Sequence, residues 1–459
     1  MKRKNSLATN IARVLSANFW VAIIGFIGSF IFPRILSISD YAWYHTFTLY
    51  IGYITITHLG FPSGMVINYA GKNYDDIDNK QYKSELIIVF SLSAFFTILF
   101  AAIGFCLENR MLVYIAIAEI PVIITGSYKG LLQSWSRFKE FSRISTFLAT
   151  AVPLGALAYY FVFKKLPGDI YIIIYLFVYW IVTILLLIEI YKKVSSVKST
   201  KILSDINYRT EKTGIAIVLG NYINTLFTSA DKQFIRWFFS EAEFAYYSFG
   251  MSMQALMTVF ITSIAQPLFP AMAQGKFSDK DYTGIKDLLF VFGSLSGCAY
   301  FFVSFIVKFF ITKYVQSLEV VGIYFVVFPV MAVINCLYIN LYKIKGMMKQ
   351  YVITLAVVLG IALVLNAGFT AIYGRYTGVA IATTITYYIW FFIGLEQFRF
   401  IKLTIKDIFY LCIYTLVFFA LTAIKNDIIG FFIYLFFIVA LDLFFYRHSI
   451  SRYIKIVQR

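Results

Sequence analysis

Charge is scarce in this chain. Of its 459 residues only 14% are Asp, Glu, Lys or Arg, while 60% are hydrophobic. Soluble globular domains carry roughly 25% charged residues. The deficit excludes an ordinary water-soluble enzyme and fits a chain solvated by lipid. Cysteine is scarce too. Cys106, Cys298, Cys336 and Cys412 lie far apart in apolar runs, with no CxxC and no nearby His. They read as packing residues, which excludes a disulfide framework and a zinc site. Walker A, GxSxG, HExxH and Rossmann glycine patterns are missing. The chain therefore has no ATP motor of its own, and no catalytic residue, metal or cofactor is expected. Tyr74-Asp75-Asp76-Ile77-Asp78 resembles an aspartate-rich diphosphate motif, but its Lys- and Asn-rich surroundings make it a solvated turn. The net charge of +17 suggests nucleic acid at first. The basic residues instead sit in short loops between apolar runs, so no nucleic-acid partner is expected.

What remains is apolar sequence in long stretches. A membrane span needs about 20 mostly apolar residues. Fourteen such runs are expected: 14–36, 41–69, 84–107, 111–134, 142–163, 169–191, 213–238, 243–272, 286–310, 319–342, 350–373, 376–398, 407–423 and 428–446. The first is too long for the apolar region of a signal peptide and is kept as a span. Lys and Arg alternate across the connecting loops. Twenty-nine of the 40 basic residues fall on the side of the N-terminus and seven on the other. The positive-inside rule then puts both termini in the cytoplasm. The fold expected is an all-α polytopic membrane protein, with no soluble domain.

The chain also repeats. Asp40-Tyr41-Ala42-Trp43-Tyr44 opens the second span, and Glu243-Phe244-Ala245-Tyr246-Tyr247 opens the eighth. Each is followed by a proline, Pro62 or Pro267. Two six-helix lobes in the same orientation follow, at 1–191 and 213–400, joined by a basic linker at 192–212. Two further helices and a tail fill 401–459. Parallel halves of this kind rock around a central site in transporters.

Charged and polar residues inside spans are costly and mark cavities or partners. The seventh span is the most informative. Asn221, Asn224, Thr225, Thr228, Ser229, Asp231, Lys232 and Arg236 share about half of its circumference. The functional reading is a hydrated lumen in which Lys232 and Arg236 attract an anion and Asp231 pairs with a cation. The plainer reading is an interhelical salt bridge, with Arg236 reaching the interface. Arg34 follows Pro33 at the end of the first span and is either a phosphate contact or an anchor. Glu119, central in the fourth span, is either an ion-coupling site or half of a structural pair. Lys129, about three turns further along, either joins the cationic lumen or reaches to the interface. His45 and His58 could titrate near neutral pH, or be packed histidines. Asp231 is a further candidate for ion coupling.

With Asp231-Lys232, the Glu243–Tyr247 stretch, Pro33-Arg34 and the Asp40-Tyr41-Ala42 turn, the chain resembles the polysaccharide transporters of the multidrug/oligosaccharidyl-lipid/polysaccharide exporter superfamily. The nearest type is the O-antigen or capsule repeat-unit flippase. The resemblance implies two six-helix lobes around a cationic cavity, in a bacterial inner membrane. It implies an undecaprenyl-diphosphate-linked oligosaccharide as substrate and other polysaccharide-assembly membrane proteins as possible partners. Carried onto this sequence, the cationic contacts would be Arg34, Lys129, Lys232 and Arg236. A drug or organic-cation exporter is the alternative, and should favour acids in the cavity. A membrane polymerase or glycosyltransferase would need a larger external loop than this chain offers.

Overall fold

The computed structural model describes residues 2–197, 208–275 and 277–457. Among them there are helices and turns and no strand. The helices are α1 Lys2–Ile35, α2 Ile38–Tyr53, α3 Phe61–Tyr69, α4 Asn79–Cys106, α5 Arg110–Ser134, α6 Phe138–Phe163, α7 Gly168–Val194, α8 Tyr208–Phe238 and α9 Glu241–Ala273. They continue as α10 Asp279–Ser294, α11 Ser296–Phe310, α12 Leu318–Val326, α13 Phe328–Val333, α14 Ile339–Ile344, α15 Met348–Tyr373, α16 Tyr376–Gln397, α17 Ile405–Thr422 and α18 Asp427–Val457.

The all-α membrane architecture is as expected, but the count of fourteen spans is not reached. Eleven of the described helices are long and apolar enough to cross a membrane, or twelve if the bent pair Thr312–Val326 and Phe328–Ile344 is one span. Two expected spans fall short for physical reasons. The run 41–69 is broken: α2 ends at Tyr53, Ile54–Ile56 tightens into a 3-10 turn, and Leu59 and Gly60 adopt φ of 49° and 86° before α3 begins. The run 213–238 lies in one continuous helix, α8. It carries Asp231, Lys232 and Arg236 within about two turns, and its polar stripe dilutes the apolar surface a lipid-facing helix needs.

Contacts divide the chain into two compact units, Met1–Leu226 and Phe227–Arg459. In the first unit α4 packs on α5, α1 on α6, and α5 on α7. A core of Phe47, Ile54, Met111, Ile115, Ala118, Ile172 and Leu176 joins α2, α5 and α7. In the second unit α15 packs on α16, α10 on α13, and α11 on α18. The last two helices belong to this unit. Lys286 of α10 pairs with Asp407 of α17, and Lys308 of α11 with Asp427 of α18 at 2.8 Å. Between these ends the Tyr434 hydroxyl donates to the Ser294 carbonyl at 2.6 Å.

The repeated hairpins start alike. Ser37 caps α2, with its side chain accepting from the Asp40 N–H at 3.0 Å. Ser240 caps α9 in a reciprocal box with Glu243. The acid that opens each quoted stretch is thus the fourth residue of a Ser-x-x-acid cap, which satisfies backbone N–H groups at the start of a helix. Tyr41 and Ala42 in one, and Phe244 and Ala245 in the other, are buried.

Candidate functional site

The stripe on α8 forms as the helical period requires. Asn221 and Thr228 are exposed, and Asn224, Lys232 and Arg236 are half-buried. The Thr225 hydroxyl turns back onto the Asn221 carbonyl at 3.1 Å.

Lys232 and Arg236 are one turn apart and converge on one ring. The Lys232 Nζ lies 5.7 Å, and the Arg236 guanidinium carbon 5.9 Å, from the centroid of Phe244. Phe244 is fully buried on α9. An aromatic face attracts a cation, but two cations over one ring also repel each other, and a shared anion relieves that repulsion. The Arg236 Nε is buried without a hydrogen-bond partner. Such an unmet donor in a planar guanidinium suits a phosphate or carboxylate.

Asp231 meets a different set of partners, on α9, α12 and α16 of the second unit, to which Lys232 and Phe244 also belong. It accepts from the Tyr247 hydroxyl at 2.8 Å, the Tyr324 hydroxyl at 2.5 Å and the Thr383 hydroxyl at 3.4 Å, and from the Lys232 backbone N–H at 2.6 Å. Its partners are hydroxyls, where the sequence suggested a cation. Hydrogen bonds to the charged form offset part of the cost of burying it. The adjacent Asp231 and Lys232 therefore serve different neighbourhoods.

The other candidates lie apart from this pair. Arg34 is exposed in the last turn of α1, after the buried Pro33. Lys129 sits on α5 with its Nζ 5.6 Å from the Phe141 ring. His45 packs against Tyr41 and Tyr44, with ring centroids 4.2 and 5.1 Å away. His58 accepts the Gly60 N–H on Nδ1 at 3.1 Å, which ties it to the turn between α2 and α3. Glu119 is fully buried on α5 and meets the Thr57 hydroxyl at 2.5 Å. Among the described residues no three His, Cys, Asp or Glu side chains gather as metal ligands would. The turn at Tyr74–Asp76 is exposed at Asp75, and Asp78 caps α4.

Sequence reasoning missed the residues that hold these groups. Tyr247 and Phe244 stood inside the quoted repeat, so their positions were marked although their roles were not. Tyr324, Thr383 and Thr57 carry no local signal.

Residues 7–276 match the family described as "Polysaccharide biosynthesis protein". The chain belongs to that family. No curated protein matches it. Among solved structures, the lipid II flippase MurJ in an inward closed conformation is similar at a TM-score of 0.68 and 15% identity, covering 97% of this chain and 99% of that one. A MATE transporter of Vibrio cholerae is similar at 0.53 and 12% identity, covering 86% and 97%. A MATE protein in its straight conformation gives 0.53 and 15%, covering 86% and 95%. At these identities the likeness is one of fold. That fold, shared by a lipid II flippase and MATE transporters, is the one the sequence resemblance implied.

Proposed function

We propose that this member of the polysaccharide biosynthesis family is a flippase. It would carry undecaprenyl-diphosphate-linked oligosaccharide units from the cytoplasmic to the outer leaflet of a bacterial inner membrane, by alternating access, with both termini cytoplasmic. The observation that carries the reading is the convergence of Lys232 and Arg236 on Phe244, with the Arg236 Nε buried and unmet. A diphosphate carries the negative charge such a pair attracts. The exposed Asn221 and Thr228 on the same stripe offer polar contacts of the kind sugars take.

The lipid tail needs an apolar path. In the second unit a cavity of about 1160 Å³ is walled mainly by apolar side chains of α12, α16 and α17, among them Ile323, Ile381, Leu411, Leu416 and Phe419. Its size and lining support a resting place for part of a polyprenyl chain. The cationic pair also favours an anionic substrate over the organic cations of a drug exporter.

The test is a flipping assay in proteoliposomes, using an undecaprenyl-diphosphate oligosaccharide and a side-selective probe. Lys232→Ala and Arg236→Ala should each lower translocation while the protein stays monodisperse. Translocation unaffected by both would remove the cationic pair from the substrate path. No translocation by the unaltered protein, alongside uptake of organic cations, would replace the flippase with an exporter.

A further inference from the structure

Glu119 and Thr57 contain one hydrogen too few for the contacts they make. The Thr57 Oγ1 lies 2.6 Å from the Ile54 carbonyl oxygen and 2.5 Å from the Glu119 Oε1. A hydroxyl has one hydrogen. It can lie in one of these contacts but not both, and two oxygens that close repel unless a hydrogen sits between them. If Glu119 were ionised, one contact would be bare. If Glu119 is protonated, its Oε1–H donates to Thr57, whose O–H donates to Ile54, and both distances are accounted for.

The remaining oxygen agrees. The Glu119 Oε2 is buried and has no hydrogen-bond partner. Left on a carboxylate, it would carry half of an uncompensated buried charge. On a neutral acid it is a carbonyl oxygen, which costs far less to bury. Glu119 is 0% and Thr57 3% exposed.

Cations on the packed elements are engaged elsewhere: Lys83 of α4 donates to the Val197 carbonyl at 2.6 Å, Lys193 of α7 lies 4.6 Å from the Tyr74 ring, and Arg137 pairs with Glu140 and Glu189. On the elements packed against α5, Glu85 of α4 accepts from Asn68, Tyr69 and Gln81. On α7, Asp169 takes the Trp43 indole N–H and Glu189 pairs with Arg137. Asp40 and His45 of α2 are held by Gly168 and by Tyr41, and Glu140 of α6 pairs with Arg137. His58, beside Thr57, is bound to the Gly60 N–H, and Lys129 on α5 itself lies over Phe141.

The partner of Glu119 sits where the second span breaks. Thr57 follows the 3-10 turn Ile54–Ile56 and precedes the left-handed Leu59 and Gly60. We propose that Glu119 is a proton-binding site whose occupancy is linked, through Thr57, to the closed form of the turn between α2 and α3. When the proton leaves, the Thr57 hydrogen swings to the carboxylate. The Ile54 carbonyl then keeps only the Thr57 backbone N–H, at 3.0 Å, of its two donors from Thr57, and the turn loosens there. A cavity of about 380 Å³ beside the turn has a mainly apolar lining that includes Thr55, His58, Ser63 and Ser127. The turn bears directly on α8, because a Cβ on Gly60 would meet the Gly214 backbone at 2.6 Å. A proton at Glu119 is thereby coupled to the first turns of α8, within the first unit. This deepens the flippase reading by naming a driving ion.

The experiment is infrared pH-difference spectroscopy on the purified full chain in lipid, without transport substrate. The unaltered protein should show a protonated-carboxyl C=O band that titrates. That band should be lost in Glu119→Gln and shifted in Thr57→Val, which removes its hydrogen-bond acceptor. Hydrogen exchange of the 54–60 amides, corrected for intrinsic rates, should speed up as the band disappears. It should stay slow in Glu119→Gln, whose amide still donates to Thr57. A difference spectrum unchanged by Glu119→Gln overturns the proton site. A band lost in Glu119→Gln but unmoved in Thr57→Val overturns the link to the turn. If Glu119→Gln does not fold, the Thr57→Val shift decides alone. None of these readouts needs flipping, so failure here is distinct from failure of the flippase assay.

Discussion

Lys286 of α10 donates to the carboxylate of Asp407 at the start of α17, and both side chains are shut off from solvent, at 0% and 2% exposed. Lys286 also donates to the Lys402 carbonyl at 2.9 Å, and Asp407 takes the Tyr446 hydroxyl at 2.7 Å. Removing one partner of such a pair strands the other charge, at a cost of about 3–5 kcal/mol. Lys286→Met should therefore unfold at clearly lower temperature in detergent. Lys286→Met combined with Asp407→Asn should recover part of the loss. Additive losses in thermal unfolding would show that the two residues are not coupled.

The hydroxyls around Asp231 should rank by distance. Tyr324→Phe removes a 2.5 Å donor from a buried carboxylate, and should cost about 1.5–3 kcal/mol. Thr383→Val removes one at 3.4 Å, and should cost much less. Thermal unfolding of the two variants checks the order, and the reverse order would refute it.

Gly60 has two reasons to be glycine. Its φ of 86° favours a residue without Cβ, and a Cβ there would strike the Gly214 backbone. Gly71 shares the first reason at φ 77° but has open space around it. Gly71→Ala should cost about 1–2 kcal/mol from the backbone alone. Gly60→Ala should cost distinctly more, and equal losses would mean that the close approach to α8 is unimportant.

Arg137 makes more contacts than its exposure can convert into stability. It pairs with Glu189 at 2.7 Å and stacks 4.6 Å from the Tyr74 ring, but its side chain is 25% and that of Glu189 36% exposed. Partly exposed pairs contribute roughly 0–1 kcal/mol. Arg137→Gln should leave the unfolding temperature nearly unchanged and raise hydrogen exchange in the Tyr74–Asp76 turn. A large drop in stability would contradict this.

Hydropathy and loop charge made the membrane class and most helices legible, because lipid rewards long apolar runs directly. The α8 stripe was legible for the same kind of reason, since Asn221, Thr228 and Lys232 recur at helical spacing. The break in the second span was not. The run 41–69 has no Asp, Glu, Lys or Arg to interrupt it, and the stop depends on Leu59 and Gly60 taking left-handed backbone, with Gly60 against Gly214, more than 150 residues away. The partners of Asp231 were equally hidden: Tyr324 lies 93 residues away and Thr383 152. Buried polar pairs across such separations leave no period to read. The Ser-x-x-acid caps at Ser37 and Ser240 could have been read, and would have lengthened the repeat on which the two-lobe expectation rested.

The Lys286–Asp407 contact also constrains the order of events during synthesis. Lys286 is made 121 residues before its counter-ion. Until α17 emerges from the ribosome, α10 holds a cation that, among the described residues, pairs with Asp287 alone, at 3.3 Å. The second unit is therefore left incomplete by any nascent chain that ends before Asp407. Truncated products should be recognised by membrane quality control as unfinished, however many helices they have already inserted.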